Sequence, residues 1–417
     1  MKYIKFFSLL ILLVSLFFGC KSANKEQVIT YAIWDSNQEP GMRAIADEFE
    51  KENPGIKVKV EVTPWNEYWT KLEAGGQAKQ LPDVFWMHIA YFLKYAQNDM
   101  LMEVGKKVEK DSDLDYSNYP EGLVKLYEYE GKNYAIPKDF DTIGLWYNKT
   151  LFDQAKAAYP DDSWDWNKFL EAAKKLTKPD DSIYGFAAQF SEQEGYHNFI
   201  YQNDGFVISK DGKKSGMNNP KTMEAIQFYT DLLLKYKVSP SLAQQADTTA
   251  LQMFESGKIA MALFGSWMVS YMTKSDYVKA NCDVAVLPKS VKRATIYNGL
   301  GNTISAFTKN PDASWKFLKF LGTKKANLIQ AEYGSAIPAF NGTQEPWFES
   351  YKKTTNFNLK NYADQIQYGV IYPFSKTSSV WYEKERTNIR PAMSGETSVK
   401  EACDKQYKEM QELLDSE

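Results

Sequence analysis

Between Val28 and Met87 the hydrophobic period switches four times, and this alternation restricts the chain more than any other feature of it. Val28 to Trp34 is an apolar run with strand character. Met42, Ile45, Ala46 and Phe49 then recur at helical spacing, and Asn53-Pro54-Gly55 stops that helix. Ile56, Val58, Val60 and Val62 alternate with Lys57, Lys59 and Glu61, which predicts a strand with one polar face. A second helix is expected over roughly Asn66 to Gln80, and Leu81-Pro82-Asp83 leads into the apolar Val84-Phe85-Trp86-Met87. Strand, helix, strand, helix, strand in this order implies an α/β sheet with right-handed crossovers.

Further along, Ser163 is a plausible cap for a helix carrying Trp166, Phe169, Leu170 and Ala173. Pro220 suits the first turn of a helix with Met223, Ile226 and Leu233. A helix through Leu251 and Phe254 should end at Gly257, Ile259 to Phe264 reads as a buried strand, and Trp315, Phe317 and Leu318 open another helix after Pro311. No internal repeat, low-complexity tract or heptad pattern interrupts this α/β reading.

The first residues suggest where such a body would work. Lys2 and Lys5 precede an apolar run from Phe6 to Phe18, Gly19 and Cys20 end it, and polar residues follow. The layout is that of a secretory signal, and the run is shorter than the ~20 apolar residues that span a bilayer. A Cys after a small residue is similar to a bacterial lipobox, although Phe17 stands where Leu is usual. Residues 1–19 are therefore expected to be a signal peptide and 20–26 a linker with lipid on Cys20, holding the body at a membrane on its extracytoplasmic side. A plain signal peptide or an uncleaved anchor is the competing reading. Loss of Lys2 and Lys5 moves the formal charge from −3 to −5, which leaves no electrostatic footprint for nucleic acid. The remaining length exceeds one ordinary core and predicts two domains. Cys282 and Cys403 could pair or stay free and buried.

Several segments taken in order resemble the family of extracellular solute-binding proteins that includes the maltose-binding protein. They are Asn53-Pro54-Gly55-Ile56-Lys57-Val58, Leu81-Pro82-Asp83-Val84, and Tyr134-Ala135-Ile136-Pro137 through Asp141-Thr142 to Tyr147-Asn148-Lys149. Ser163-Trp164-Asp165, Gly257-Lys258-Ile259-Ala260-Met261 with Gly265-Ser266-Trp267, Asn310-Pro311 and Ile337-Pro338-Ala339 complete the series. The resemblance implies an α/β fold of two lobes, each a sheet flanked by helices, with ligand in the cleft between them. By the same analogy residues 27–139 plus 302–337 form the first lobe, and 140–301 plus 338–417 the second. It implies a sugar-binding lipoprotein of an ABC importer, monomeric and without a cofactor. Such a protein would hand a mono- or oligosaccharide to transmembrane permease subunits served by a separate ATPase subunit. The chain itself has no Gly-x-x-x-x-Gly-Lys-[Ser/Thr] motif.

A sugar site needs flat rings for C–H faces and planar acceptors or donors for hydroxyls, and aromatic residues make up 15% of this chain. The resemblance places stacking residues at Trp86, at Trp267 on the opposite lobe and at Trp381 on a late helix. It places an acidic acceptor at Asp141 near the hinge. Trp34 and Trp65 each end a predicted strand, Asn37 and Gln38 follow the first of these, and Gly301 lies near a lobe crossing where backbone could approach a guest. His88 and Tyr196 are candidates through proximity to these segments. For each tryptophan, burial in the core is the rival expectation.

Two acids close together also suit other functions. Asp139 and Asp141 could act as a glycosidase acid and base, or attract a small cation such as a polyamine beside tryptophan faces. A surface adhesin is a third class. Asp111, Asp113 and Asp115 imitate a Ca²⁺ loop, but Tyr116 and Gly122 occupy positions that need Gly and a bidentate acid, so no metal is expected.

Overall fold

A computed structural model describes residues 26–180 and 182–417. The expected signal peptide and Cys20 lie outside the described residues. The expected opening forms as three parallel strands, β1 (Gln27–Ile33), β2 (Ile56–Val62) and β3 (Val84–Met87), with α1 (Glu39–Glu52) and α2 (Trp65–Gln77) between them. Helix α1 buries Met42, Ile45, Ala46 and Phe49, and the chain leaves it through Gly55 at φ +101°. β2 lies at the sheet edge, where Ile56 and Val58 are buried while Lys57 and Lys59 face solvent. β3 is buried along its whole length.

Two later strands complete this sheet. Gly301–Ile304 runs antiparallel to β3 and also pairs with Ala135–Pro137 at the far edge. The second sheet has Ile143–Asn148 at its centre, flanked antiparallel by Met261–Gly265 and Cys282–Ala285. Helix Trp166–Leu176 near it is capped by Asp165, whose carboxylate accepts the Lys168 N–H at 2.9 Å, rather than by Ser163 as expected. Asn219 caps the helix that opens with Pro220. Cys282 and Cys403 are free and buried, and burial pushes both thiols up to about 12.

The two sheets are joined where residues 138–141 run between two other segments. Lys138 N donates to Leu300 O at 2.8 Å and Asp141 N to Asn298 O at 2.8 Å. On the other side Phe140 N donates to Ile337 O at 3.1 Å and Ala339 N to Lys138 O at 3.2 Å.

Beyond this junction the chain stays with the first sheet longer than the expected boundary at residue 337. Helix Gln344–Lys352 packs on Lys324–Glu332, which itself packs on α1. Trp347, Phe348 and Tyr351 are buried there, and the Tyr351 hydroxyl donates to Gly334 O. The passage to the second sheet comes afterwards, where the Phe357 ring meets Trp146 edge-on at 4.9 Å and Asn358 N donates to Asp283 Oδ1 at 2.7 Å. Last come Ser378–Met393 and Val399–Asp415, packed on each other, with the first of these also against α3 (Ile89–Gln97). Among the described residues no helix is long and apolar enough to cross a membrane.

Candidate ligand-binding cleft

A cavity of about 590 Å³ lies between the two sheets. Its walls come from residues just past strand ends: Trp34 and Asp35 after β1, Pro64 and Trp65 after β2, His88 after β3, and Ser266 and Trp267 after Met261–Gly265. Ligands in open α/β sheets sit beyond the carboxyl ends of strands, and here several such ends converge on one space. Its volume falls within the ~300–1,000 Å³ of ordinary small-molecule sites.

The first-sheet wall is a block of rings. Trp34 meets Trp65 edge-on at 5.1 Å, Trp65 meets Trp69 at 5.4 Å, and Trp69 stacks on Tyr91 at 3.8 Å. Trp34 and Trp65 are half-buried and line the cavity. Trp86, expected as the main stacking platform, does not line it. It is 0% exposed and stands edge-on to Trp34 at 5.1 Å, one layer deeper. Its Nε1 donates to the Tyr31 hydroxyl at 2.6 Å, that hydroxyl donates to Asn302 Oδ1 at 2.8 Å, and the Lys138 ammonium sits 4.3 Å from its ring centroid. A strand covered on both faces leaves its tryptophan no open side.

Four further expected residues are also absent from the lining. Trp381 is 0% exposed between the last two long helices, with Nε1 donating to Ser375 Oγ at 2.9 Å and its backbone carbonyl accepting from Gln406 at 3.1 Å. Gly301 is buried in the first sheet opposite Met87 and Pro137, where a Cβ would come within 2.7 Å of Ala135. Asn37 sits at the rim, where its Oδ1 accepts from the Lys274 ammonium. Tyr196 is buried behind the wall and donates to Glu385 at 2.8 Å. Gln38, Trp65, Asp141 and Trp267 do line the cavity.

The polar groups divide into committed and free. Lys138 and Asp139 form a buried ion pair at 2.7 Å, and the other Asp139 oxygen accepts the Leu300 N–H at 2.8 Å. Lys138 also donates to Gln38 Oε1 at 2.8 Å, and Gln38 donates to Asp35 Oδ2 at 2.9 Å. Glu192 is held by Arg386 at 3.3 Å. Asp141 and Glu194 have no ion-pair partner among the described residues. Gln193 donates to Asp141 at 2.7 Å, yet burial and the charges of Asp139 and Glu194 hold its pKa well above the usual carboxylate range. Glu194 accepts the Gly265 N–H at 2.8 Å, and burial pushes its pKa up to about 7. His88 is pulled down to about 3 by burial and is neutral. Its Nδ1 accepts the Ala90 N–H at 3.2 Å, leaving Nε2 against the Asn298 amide at 2.9 Å.

Glu192, Gln193 and Glu194 were missed by sequence reasoning. They occupy a π-helical turn, Glu192–Tyr196, that breaks at Gly195 with φ −147° and ψ −129°. Such turns collect at functional sites. A polar Glu-Gln-Glu-Gly set between Phe190 and Tyr196 was the available signal. Tyr271, Tyr372 and Arg386 complete the second wall and carried no comparable mark. The mouth is bridged where the Tyr271 hydroxyl donates to Asp35 Oδ1 at 3.0 Å and Lys274 meets Asn37.

Comparison with known proteins agrees with this architecture. The family model described as "Bacterial extracellular solute-binding protein" matches residues 35–328. An ABC substrate-binding protein from Listeria monocytogenes, solved in complex with cycloalternan, superposes with a TM-score of 0.87 at 26% identity, over 94% of this chain and 99% of that one. A galactooligosaccharide-binding protein from Bacillus subtilis is 26% identical over 340 residues, 77% of this chain and 75% of its own. A maltooligosaccharide ABC transporter solute-binding lipoprotein from Streptococcus pneumoniae is 23% identical over 391 residues, covering 88% and 85%.

Proposed function

The chain belongs to the family of bacterial extracellular solute-binding proteins, and on that premise we propose that it captures an oligosaccharide in the inter-sheet cavity for an ABC importer. The observation that carries the reading is the pairing of half-buried indoles with carboxyl groups that have no ion-pair partner among the described residues, around one cavity. Trp34 and Trp65 offer ring surface on one wall and Trp267 on the other. Burial favours the protonated acid at Asp141 and Glu194, and a protonated carboxyl donates through its O–H and accepts through its other oxygen, so the pair suits the mixed donor and acceptor hydroxyls of a neutral sugar.

Capture is by hinge motion of two lobes about the junction at residues 138–141. In our reading the first lobe comprises the sheet of β1 to β3 with its returning strand and extends through the helix Gln344–Lys352, and the second comprises the remainder. Lipid on Cys20 tethers the monomer to the membrane, where it delivers its guest to permease subunits served by a separate ATPase. In our reading the cavity binds and does not cleave, as expected of a family of solute-binding proteins.

Thermal unfolding against a panel of mono- and oligosaccharides tests this. A guest at 100 times its Kd should add about 2.7 kcal/mol of stability and raise Tm. A panel in which no carbohydrate shifts Tm at millimolar concentration refutes the proposal. A polyamine that shifts Tm instead, in a manner abolished by salt, points to a cationic guest.

A further inference from the structure

Trp267 is the one cavity-lining tryptophan with no ring–ring contact among the described residues, so something other than an aromatic neighbour sets where its indole lies. That neighbour is Gly265. A Cβ built on Gly265 would meet Trp267 Cζ3 at 2.0 Å, Cη2 at 2.2 Å and Cε3 at 2.4 Å. The six-membered half of the indole therefore rests directly on the glycine Cα, closer than any side chain permits. Backbone conformation does not explain the glycine. Its φ of −73° and ψ of 161° are open to every L-residue.

Gly265 is also fixed from the other directions. It ends the strand Met261–Gly265 in register with Ile143, and its N–H donates to Glu194 Oε1 at 2.8 Å. The Tyr362 hydroxyl, which donates to the neighbouring Phe264 O at 3.1 Å, also lies 3.4 Å from the Gly265 carbonyl oxygen. With the strand end held by these contacts, an added methyl group pushes first on the Trp267 ring.

We propose that Gly265 is a positioning residue for ligand recognition: its bare Cα seats the Trp267 indole at a defined depth in the second wall, while its N–H orients the Glu194 carboxylate. It touches no guest itself. The inference rests on the reading of this cavity as an oligosaccharide site, but its structural half can be tested without any guest.

The experiment is a double-mutant cycle of Gly265→Ala and Trp267→Ala. Near-UV circular dichroism of the ligand-free protein should change in Gly265→Ala, and that change should vanish in the Trp267→Ala background. Urea midpoints should follow the same pattern, with the added methyl tolerated once the indole is gone. Isothermal titration with maltotetraose and with galactotriose as probes should show Gly265→Ala weakening whichever one the wild type binds by about tenfold. It should add no further loss to Trp267→Ala. Equal effects of Gly265→Ala in both backgrounds, or an unchanged dichroism spectrum, overturn the proposal. If the wild type binds neither probe, the carbohydrate reading loses support while the dichroism and urea arms still decide the role of Gly265.

Discussion

Trp86 and Trp65 carry the same side chain near the ends of neighbouring segments of the first lobe, and the structure gives them different work: Trp65 lines the cavity and Trp86 is buried behind it. Trp86 stands in register with Asn302, which comes from a strand more than two hundred residues later. That strand covers one edge of β3 and supplies the acceptor for Tyr31, which in turn holds the Trp86 indole. Nothing local in Val84-Phe85-Trp86-Met87 announces this partner, so the residue type at a strand end was legible and its depth was not. Trp65 needs only its own neighbourhood, the first turn of α2, to reach the cavity. Trp86→Ala is expected to cost about 3–5 kcal/mol of stability in urea titrations, the range for deleting a buried aromatic. Trp65→Ala should leave the fold in place and weaken sugar binding by about 1–3 kcal/mol, on the scale of base–aromatic stacking. The opposite assignment of the two effects would restore Trp86 as the platform.

At the scale of elements, period and punctuation were enough to read the opening five segments, because each declares itself within its own residues. Asn53-Pro54-Gly55 ends a helix whatever surrounds it. The helix Gln344–Lys352 packs with helices of the first sheet although Ile337-Pro338-Ala339, just before it, marks a crossing point. Its allegiance is decided by where Trp347, Phe348 and Tyr351 find cover. The short helices after Trp267 carry a further duty that sequence did not suggest. Tyr271 and Lys274 reach over the mouth to Asp35 and Asn37 on the loop after β1. Each such bond contributes roughly 0.5–1.5 kcal/mol. The double variant Tyr271→Phe, Lys274→Met should therefore release bound sugar about tenfold faster in stopped-flow fluorescence, with little change in the association rate. An unchanged release rate would show that these bonds do not hold the mouth shut.

For the whole molecule, the uncommitted carboxylates make stability depend on pH. Glu194 has a folded-state pKa of about 7 against an ordinary 4.5, so the native protein holds its proton more tightly than the unfolded chain does. Its contribution is full below pH 4.5 and is lost as pH rises through about 7. Glu194→Gln keeps an oxygen for the Gly265 N–H and removes the titration. Relative to wild type, the ligand-free variant should gain stability between pH 5 and pH 8 in urea titrations. A difference that does not vary with pH would place Glu194 in water rather than in the wall.

The order of strands in the first sheet has one more outcome. Ala135–Pro137 touches that sheet only through Gly301–Ile304. A nascent chain leaving the ribosome or a translocation channel amino-terminus first therefore carries β3 with a bare edge until residue 304 has emerged. The first-made half of that sheet therefore cannot complete its strand set ahead of the later one.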